Sequence, residues 1–184
     1  MQRIRILGYA AVLMAGAAVC RGQEMPEMPK PQKEHAWLEQ FTGEWDYVTE
    51  AKPPGQLEAI KFEGEEKSRM IGKFWLMAEN KGEMMGMPFT GIMTLGYDPK
   101  SKSYVGTWVD SMGDYMWQYK GSVEGKKLTL ESKGPCPFKP PGTLVNFRET
   151  LELKDKDHKV FTSSYQEDDG SWVQMLTMSY TRKK

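Results

Sequence analysis

The sequence predicts an all-β protein: a single up-and-down antiparallel β-barrel of about ten strands, with a short N-terminal helix closing one end. Three observations carry this. From Gly43 onward, apolar and polar residues alternate in segment after segment, the period-two mark of half-solvated strands. The segments are separated by short turn signals, and no stretch after Phe41 has helical spacing. Finally, Phe41-Thr42-Gly43-Glu44-Trp45 places a Gly-x-Trp at the head of the first strand, just after a short helical pattern. Successive hairpins without long crossovers favour closure into a barrel, which removes exposed sheet edges.

Size and charge narrow the function classes. The 184 residues allow one ordinary domain once an export segment is set aside. Lys plus Arg and Asp plus Glu each number 25. A nucleic-acid or anionic-membrane footprint needs a basic excess, so this balance argues against both. Six Trp and 14 Met supply large and adaptable side chains for a core or a cavity wall.

The N-terminus reads as an address. Arg3 and Arg5 precede an apolar run from Ile6 to Cys20, followed by Arg21-Gly22-Gln23. Positive, apolar and small residues in that order make a secretory signal. The run is short for a membrane span, which needs about 20 residues. Residues 1–22 are therefore expected to be a signal peptide cleaved after Gly22, leaving no stable membrane span and an exported protein, periplasmic or secreted. A lipoprotein signal through Cys20 is weaker, because Val19 stands where that motif wants Gly, Ala or Ser. Removal of the signal leaves Cys136 as the one cysteine, so no internal disulfide is expected. Cys136 lies in Gly134-Pro135-Cys136-Pro137 with no histidine nearby in sequence, which suits small apolar filler better than a nucleophile.

Residues 23–32 hold three prolines and no apolar period, the composition of an extended linker. Lys33 to Phe41 follows as a short helix, with Ala36, Trp37, Gln40 and Phe41 on one side and His35 and Glu39 on another. Two turns of helix are not stable alone, so this piece is expected to plug a barrel end with Trp37, Leu38 and Phe41. Gly43 permits the sharp entry into the first strand, where Trp45, Tyr47 and Thr49 share a face. Lys52-Pro53-Pro54-Gly55 ends it. Ile60, Phe62 and Gly64 form one face of the next strand, and Phe74 to Glu79 is another. Gly82 to Pro88 reads as a flexible Met-rich connection. Phe89, Gly91, Met93, Leu95 and Tyr97 alternate cleanly up to the turn Asp98-Pro99-Lys100-Ser101. The most aromatic hairpin follows, with Tyr104, Gly106, Trp108 and Asp110 on one face and Tyr115, Trp117 and Tyr119 on the returning face. Further strands are expected at Leu128–Glu131, Leu144–Leu153 and Val160–Gln166. The last, Trp172 to Arg182, is expected to hold Trp172, Gln174, Leu176, Met178 and Tyr180 on one side. Residues 33–184 thus make one barrel domain.

These segments also carry a resemblance. His35-Ala36-Trp37-Leu38 with Gly43-Glu44-Trp45, Met93-Thr94-Leu95-Gly96-Tyr97-Asp98, Phe161-Thr162-Ser163-Ser164, Asp169-Gly170-Ser171-Trp172 and Thr177-Met178-Ser179-Tyr180-Thr181-Arg182 appear in order. In this the chain resembles the bacterial family known as domain of unknown function 1579. The resemblance implies a lipocalin-like, calycin-type barrel and no assigned activity. The Gly43-x-Trp45 pair is also similar to the Gly-x-Trp of lipocalins, whose Trp packs under a basic residue from a late strand. By position Arg182 is the expected partner, with Arg148 and Lys183 as alternatives. The expected closing set is Trp37, Phe41, Gly43, Trp45 and Arg182.

Motifs for chemistry are sparse. His35 and His158 are the two histidines, and neither falls on an inward alternation, so no haem or other cofactor is implied. The sequence shows no nucleophile elbow, phosphate loop or Cys/His metal pattern, and an enzyme is the less favoured class. What stands out is a set able to line an apolar pocket: Met93, Tyr104, Trp108, Trp117, Tyr119 and Met178, with Arg148 as a candidate buried cation if its face turns inward. Three classes follow. The first is an exported, non-catalytic barrel binding a small apolar or amphipathic molecule. The second is a cell-envelope interaction module with a filled core, using Met84 to Phe89. The third is an enzyme built on Arg148 and a nearby acid. The sequence names no protein partner.

Overall fold

The computed structural model describes residues 27–55 and 58–184. The expected signal segment and residues 23–26 of the linker lie outside the described residues. The fold belongs to Pro31–Lys184. Helix α1 covers Lys33–Leu38 and runs into a 3₁₀ turn, Glu39–Phe41. Ten strands follow: β1 Gly43–Ala51, β2 Ile60–Ile71, β3 Trp75–Met84, β4 Met87–Asp98, β5 Ser103–Asp110, β6 Trp117–Glu124, β7 Lys127–Pro135, β8 Leu144–Leu153, β9 His158–Gln166 and β10 Trp172–Arg182. Each strand pairs antiparallel with its sequence neighbours, and β1 pairs β10 to close the ring. The up-and-down barrel is the observed fold.

Closure sorts the connections onto two ends. The turns 72–74, 99–102, 125–126 and 154–157 lie at the end that α1 covers. The longer segments 111–116, 136–143 and 167–171 lie at the other, as do residues 52–55 and 58–59. So does the tight turn at Met85-Gly86, where both residues have positive φ, 53° and 78°. Such a pair makes a two-residue hairpin whose twist matches the flanking strands. The flexible connection expected at Gly82–Pro88 is therefore mostly strand.

Two further expectations need correction. His35 is not on a polar helix face. It is 3% exposed and sits edge-on to Phe74 and Tyr97, while its Nδ1 accepts the Gln32 N–H at 3.0 Å. The last strand does not keep one face throughout. A bulge between Gln174 and Leu176 inserts one residue, and an extra residue reverses the alternation. Trp172 and Gln174 thus lie on the outer surface, whereas Leu176, Met178 and Tyr180 point inward.

The closed end is built around Trp45, which is fully buried. Its indole N–H donates to the Phe41 carbonyl at 3.1 Å, and the Ser68 hydroxyl donates to the same oxygen at 2.7 Å. Arg182 lies over the indole, with its guanidinium carbon 3.9 Å from the ring centre. The guanidinium also donates to Thr42 O at 2.6 Å, Gln40 O at 3.2 Å and Lys156 O at 2.9 Å. One side chain thereby ties the 3₁₀ turn and the β8–β9 turn to the barrel. Gly43 makes room for it: φ is +123°, and a Cβ there would lie 2.4 Å from Arg182 Nη1. Trp37 packs against Phe41 and Tyr104, with centroids 5.0 and 5.6 Å away. Arg182→Ala is expected to lower stability by about 2 kcal/mol through the stack and the carbonyl bonds. Arg182→Lys should recover little, because an ammonium lacks the planar fork. Denaturant unfolding of the two variants decides this, and a Lys variant as stable as wild type would contradict it.

A candidate ligand cavity in the barrel

Ten strands enclose more space than eight, whose interiors are just filled by side chains. Here a cavity of about 250 Å³ remains. Its wall is mostly apolar, with Met93, Trp108, Trp117, Tyr119 and Met178 among the lining residues. These five were expected in a pocket on alternation alone. Trp108 lies flat on the wall because Gly91 has no side chain, and a Cβ at Gly91 would sit 2.3 Å from the ring.

The other two pocket candidates lie elsewhere. Tyr104 is buried at the closed end, where its hydroxyl donates to Glu34 O at 3.1 Å. Arg148 is on the outer wall, its guanidinium 4.1 Å from the Trp172 ring centre and 3.3 Å from Glu131 Oε1. The reason is register: Val145, Phe147, Glu149 and Leu151 form the buried face of β8, so Arg148 turns to solvent. An enzyme centred on Arg148 loses its buried cation.

The polar groups of the cavity were not among the expected pocket residues. Lys159 on β9 and Glu66 on β2 form an ion pair at 2.5 Å, with side chains 2% and 7% exposed. The ammonium also lies 4.4 Å from the Trp45 ring centre and 4.5 Å from that of Tyr180. Burial holds the Lys159 pKa below the usual lysine value, although Glu66 pulls it back up. Burial, helped by the Glu66 charge, pushes the Tyr47 phenol up to about 12.

Glu149 is the second buried acid, 4% exposed and lining the cavity. Desolvation pushes its pKa up to about 7. The Ser163 and Ser132 hydroxyls flank it and pull the value down, but the one well-formed bond is from Ser163 to Oε1, at 3.1 Å. Glu149 Oε2, Asn80 Oδ1, Thr49 Oγ1 and Ser132 Oγ are buried without a well-formed hydrogen bond. Buried polar atoms in folded proteins are rarely left so, and where they are, they mark a site to explain. Asp110, by contrast, is satisfied, by the Trp108 indole N–H at 2.7 Å and the Met112 N–H at 2.9 Å. Among the described residues no group of three or more His, Cys, Asp or Glu side chains is placed to hold a metal.

A signal for Glu149 was present in the sequence. Phe147-x-Glu149-x-Leu151 sets a carboxylate into an apolar period-two face. Lys159-x-Phe161-x-Ser163-x-Tyr165 does the same for Lys159. Nothing local reveals that Lys159 meets Glu66, because 93 residues separate them.

With the barrel and its cavity defined, the family can be assigned. The model of the family described as "Protein of unknown function (DUF1579)" matches residues 30–182. The chain belongs to DUF1579. No curated protein matches its sequence. Among solved structures, this DUF1579 barrel is similar to Rv2717c from M. tuberculosis, at 14% identity and TM-score 0.57, over 84% of this chain and 100% of that one. It is also similar to the S-type phycobiliprotein lyase CPES from Guillardia theta, at 11% identity and TM-score 0.51, over 84% and 99%. At such identities the likeness concerns the barrel fold alone.

Proposed function

We propose that this DUF1579 protein is an exported, non-catalytic barrel that holds a small amphipathic molecule in its interior. The observation that carries the reading is the cavity itself: about 250 Å³ of space walled by aromatic and Met side chains, with unpartnered buried polar atoms facing it. Binding sites for small molecules combine an apolar wall with a few polar groups in this way. A cavity of ~150 Å³ holds benzene, so this one suits a body on the order of ten non-hydrogen atoms. Entry is from the end opposite α1, since Trp45, Arg182 and the 3₁₀ turn seal the other. Export rests on the charge and hydropathy order of residues 1–22.

The test is a titration of the purified protein with 4-phenylbutan-1-ol, a neutral molecule of about the right size, followed by Trp fluorescence and native mass spectrometry. Trp108 and Trp117 line the cavity, so bound alcohol should change the emission and appear as a mass adduct. Gly91→Leu should push the Trp108 ring into the space and abolish both signals without unfolding the barrel. An unchanged spectrum and no adduct from the wild type, with this alcohol and with cationic and anionic probes of similar size, would overturn the reading. The export half is checked by sequencing the N-terminus of the protein from its native host, where Gln23 is expected first.

A further inference from the structure

The polar atoms of the cavity are not a random mixture. Its one buried cation, Lys159, is matched by Glu66 at 2.5 Å. The Trp108 indole N–H is taken by Asp110, and the Tyr47 hydroxyl by Lys81 O at 3.2 Å. The Ser163 hydroxyl is taken by Glu149 Oε1. Glu149 Oε2, Asn80 Oδ1 and Thr49 Oγ1 remain on the cavity wall, the first two as acceptors and the Thr49 hydroxyl able to accept or donate. Among the described residues the interior therefore holds an incompletely matched acid and no free positive charge to meet it.

The wall beside this acid suits a cation. Phe147 lies two residues before Glu149 on the same face of β8, and Trp117 packs edge-on against it at 4.8 Å. Tyr119 is close enough that the charges of Glu149 and Asp110 both raise its pKa, on top of the larger effect of burial. Aromatic faces attract ammonium groups, most strongly where water is excluded. A carboxylate in a desolvated site gains most from a charge-assisted bond to a donor cation.

We propose that the cavity takes a small protonated amine on an apolar body, with Glu149 as the anchor for its ammonium group. This rests on the ligand-binding reading above and names the chemistry of the ligand's polar end. Glu149 retains a raised pKa when alone, around 7, which an ammonium beside it would lower. Asn80 and Thr49 offer further acceptors to the remaining N–H groups or to a hydroxyl on the same molecule.

Three isosteric probes separate this from the broader reading. The purified protein and its Glu149→Gln variant are titrated by calorimetry with 4-phenylbutylamine, 4-phenylbutan-1-ol and 4-phenylbutyrate. A charge-assisted bond predicts that the amine binds at least about tenfold tighter than the alcohol, with the carboxylate weakest. In Glu149→Gln the amine should lose that advantage and bind no tighter than the alcohol, and an unchanged circular-dichroism spectrum shows that the variant is folded. An amine no tighter than the alcohol, or an advantage that survives Glu149→Gln, overturns the proposal but leaves the cavity reading standing. Tightest binding of the carboxylate also overturns it, and makes Lys159 the anchor. No binding of any probe overturns the cavity reading itself.

Discussion

Lys159→Met is expected to lower the unfolding free energy by about 3–5 kcal/mol, because it leaves the Glu66 carboxylate buried without its partner. The Lys159 side chain is 2% exposed, and its ammonium touches Glu66, Trp45 and Tyr180. Glu66→Gln should cost less. The orphaned ammonium keeps the two aromatic faces, and burial already favours its loss of a proton. The double variant Glu66→Gln/Lys159→Met should regain most of the loss, since no charge is then left uncompensated. Urea unfolding of the three variants measures this. Single-variant losses below about 1 kcal/mol, or losses that simply add, would show that the pair is not the buried unit described here.

The second large effect is on pH dependence. Glu149 has its pKa raised from the ordinary 4.5 to about 7 in the folded protein. Between those values the native state binds more protons than the unfolded chain, so stability falls as pH rises through this window. The contribution is complete below about pH 4.5 and lost above about pH 7, and it amounts to roughly 3 kcal/mol at most. Glu149→Gln removes this slope. It should therefore be more stable than wild type near pH 8 by a few kcal/mol, and about equal near pH 5. The groups facing Glu149 set how clean the difference is: Tyr119 on β6, Ser132 on β7, Ser163 on β9 and, at longer range, Asp110 on β5. Their phenol and hydroxyls do not titrate in this window, and Asp110 is held by two donors. Thermal melts of both proteins at the two pH values provide the check. A variant less stable than wild type near pH 8 would mean that the carboxylate is not desolvated. A residue that costs stability at working pH and lines a cavity is what a stability–function trade-off looks like.

The outline of the fold was legible residue by residue. Period-two alternation from Trp45 to Tyr180 reports which residues face a core, and turn chemistry such as Asp98-Pro99-Lys100-Ser101 reports where strands reverse. Both are local signals, so they survive without an alignment or a structure. They fail where geometry departs from the ideal period. The bulge after Gln174 turned Trp172 outward, and the tight turn at Met85-Gly86 hid two strand ends inside an apparent loop. Arg148 shows a different limit. It alternates with Asn146 and Thr150 on one face of its strand, but the sign of that face stays open along the chain and is decided only by the burial of Phe147 and Glu149 on the other.

The sequence alone thus determined the strand count and the closing role of the helix and Gly43-x-Trp45, because each follows from short-range patterns in the chain; the pairing of Trp45 with a late basic residue was implied by the resemblance to lipocalins, and barrel closure selected Arg182 for it. The sequence could not determine whether the interior is filled, which acids it encloses or how they are matched. Those depend on the radius of a ten-stranded ring and on contacts such as Lys159–Glu66 that only barrel closure creates. The site is a property of the space between strands, and that space has no counterpart along the chain.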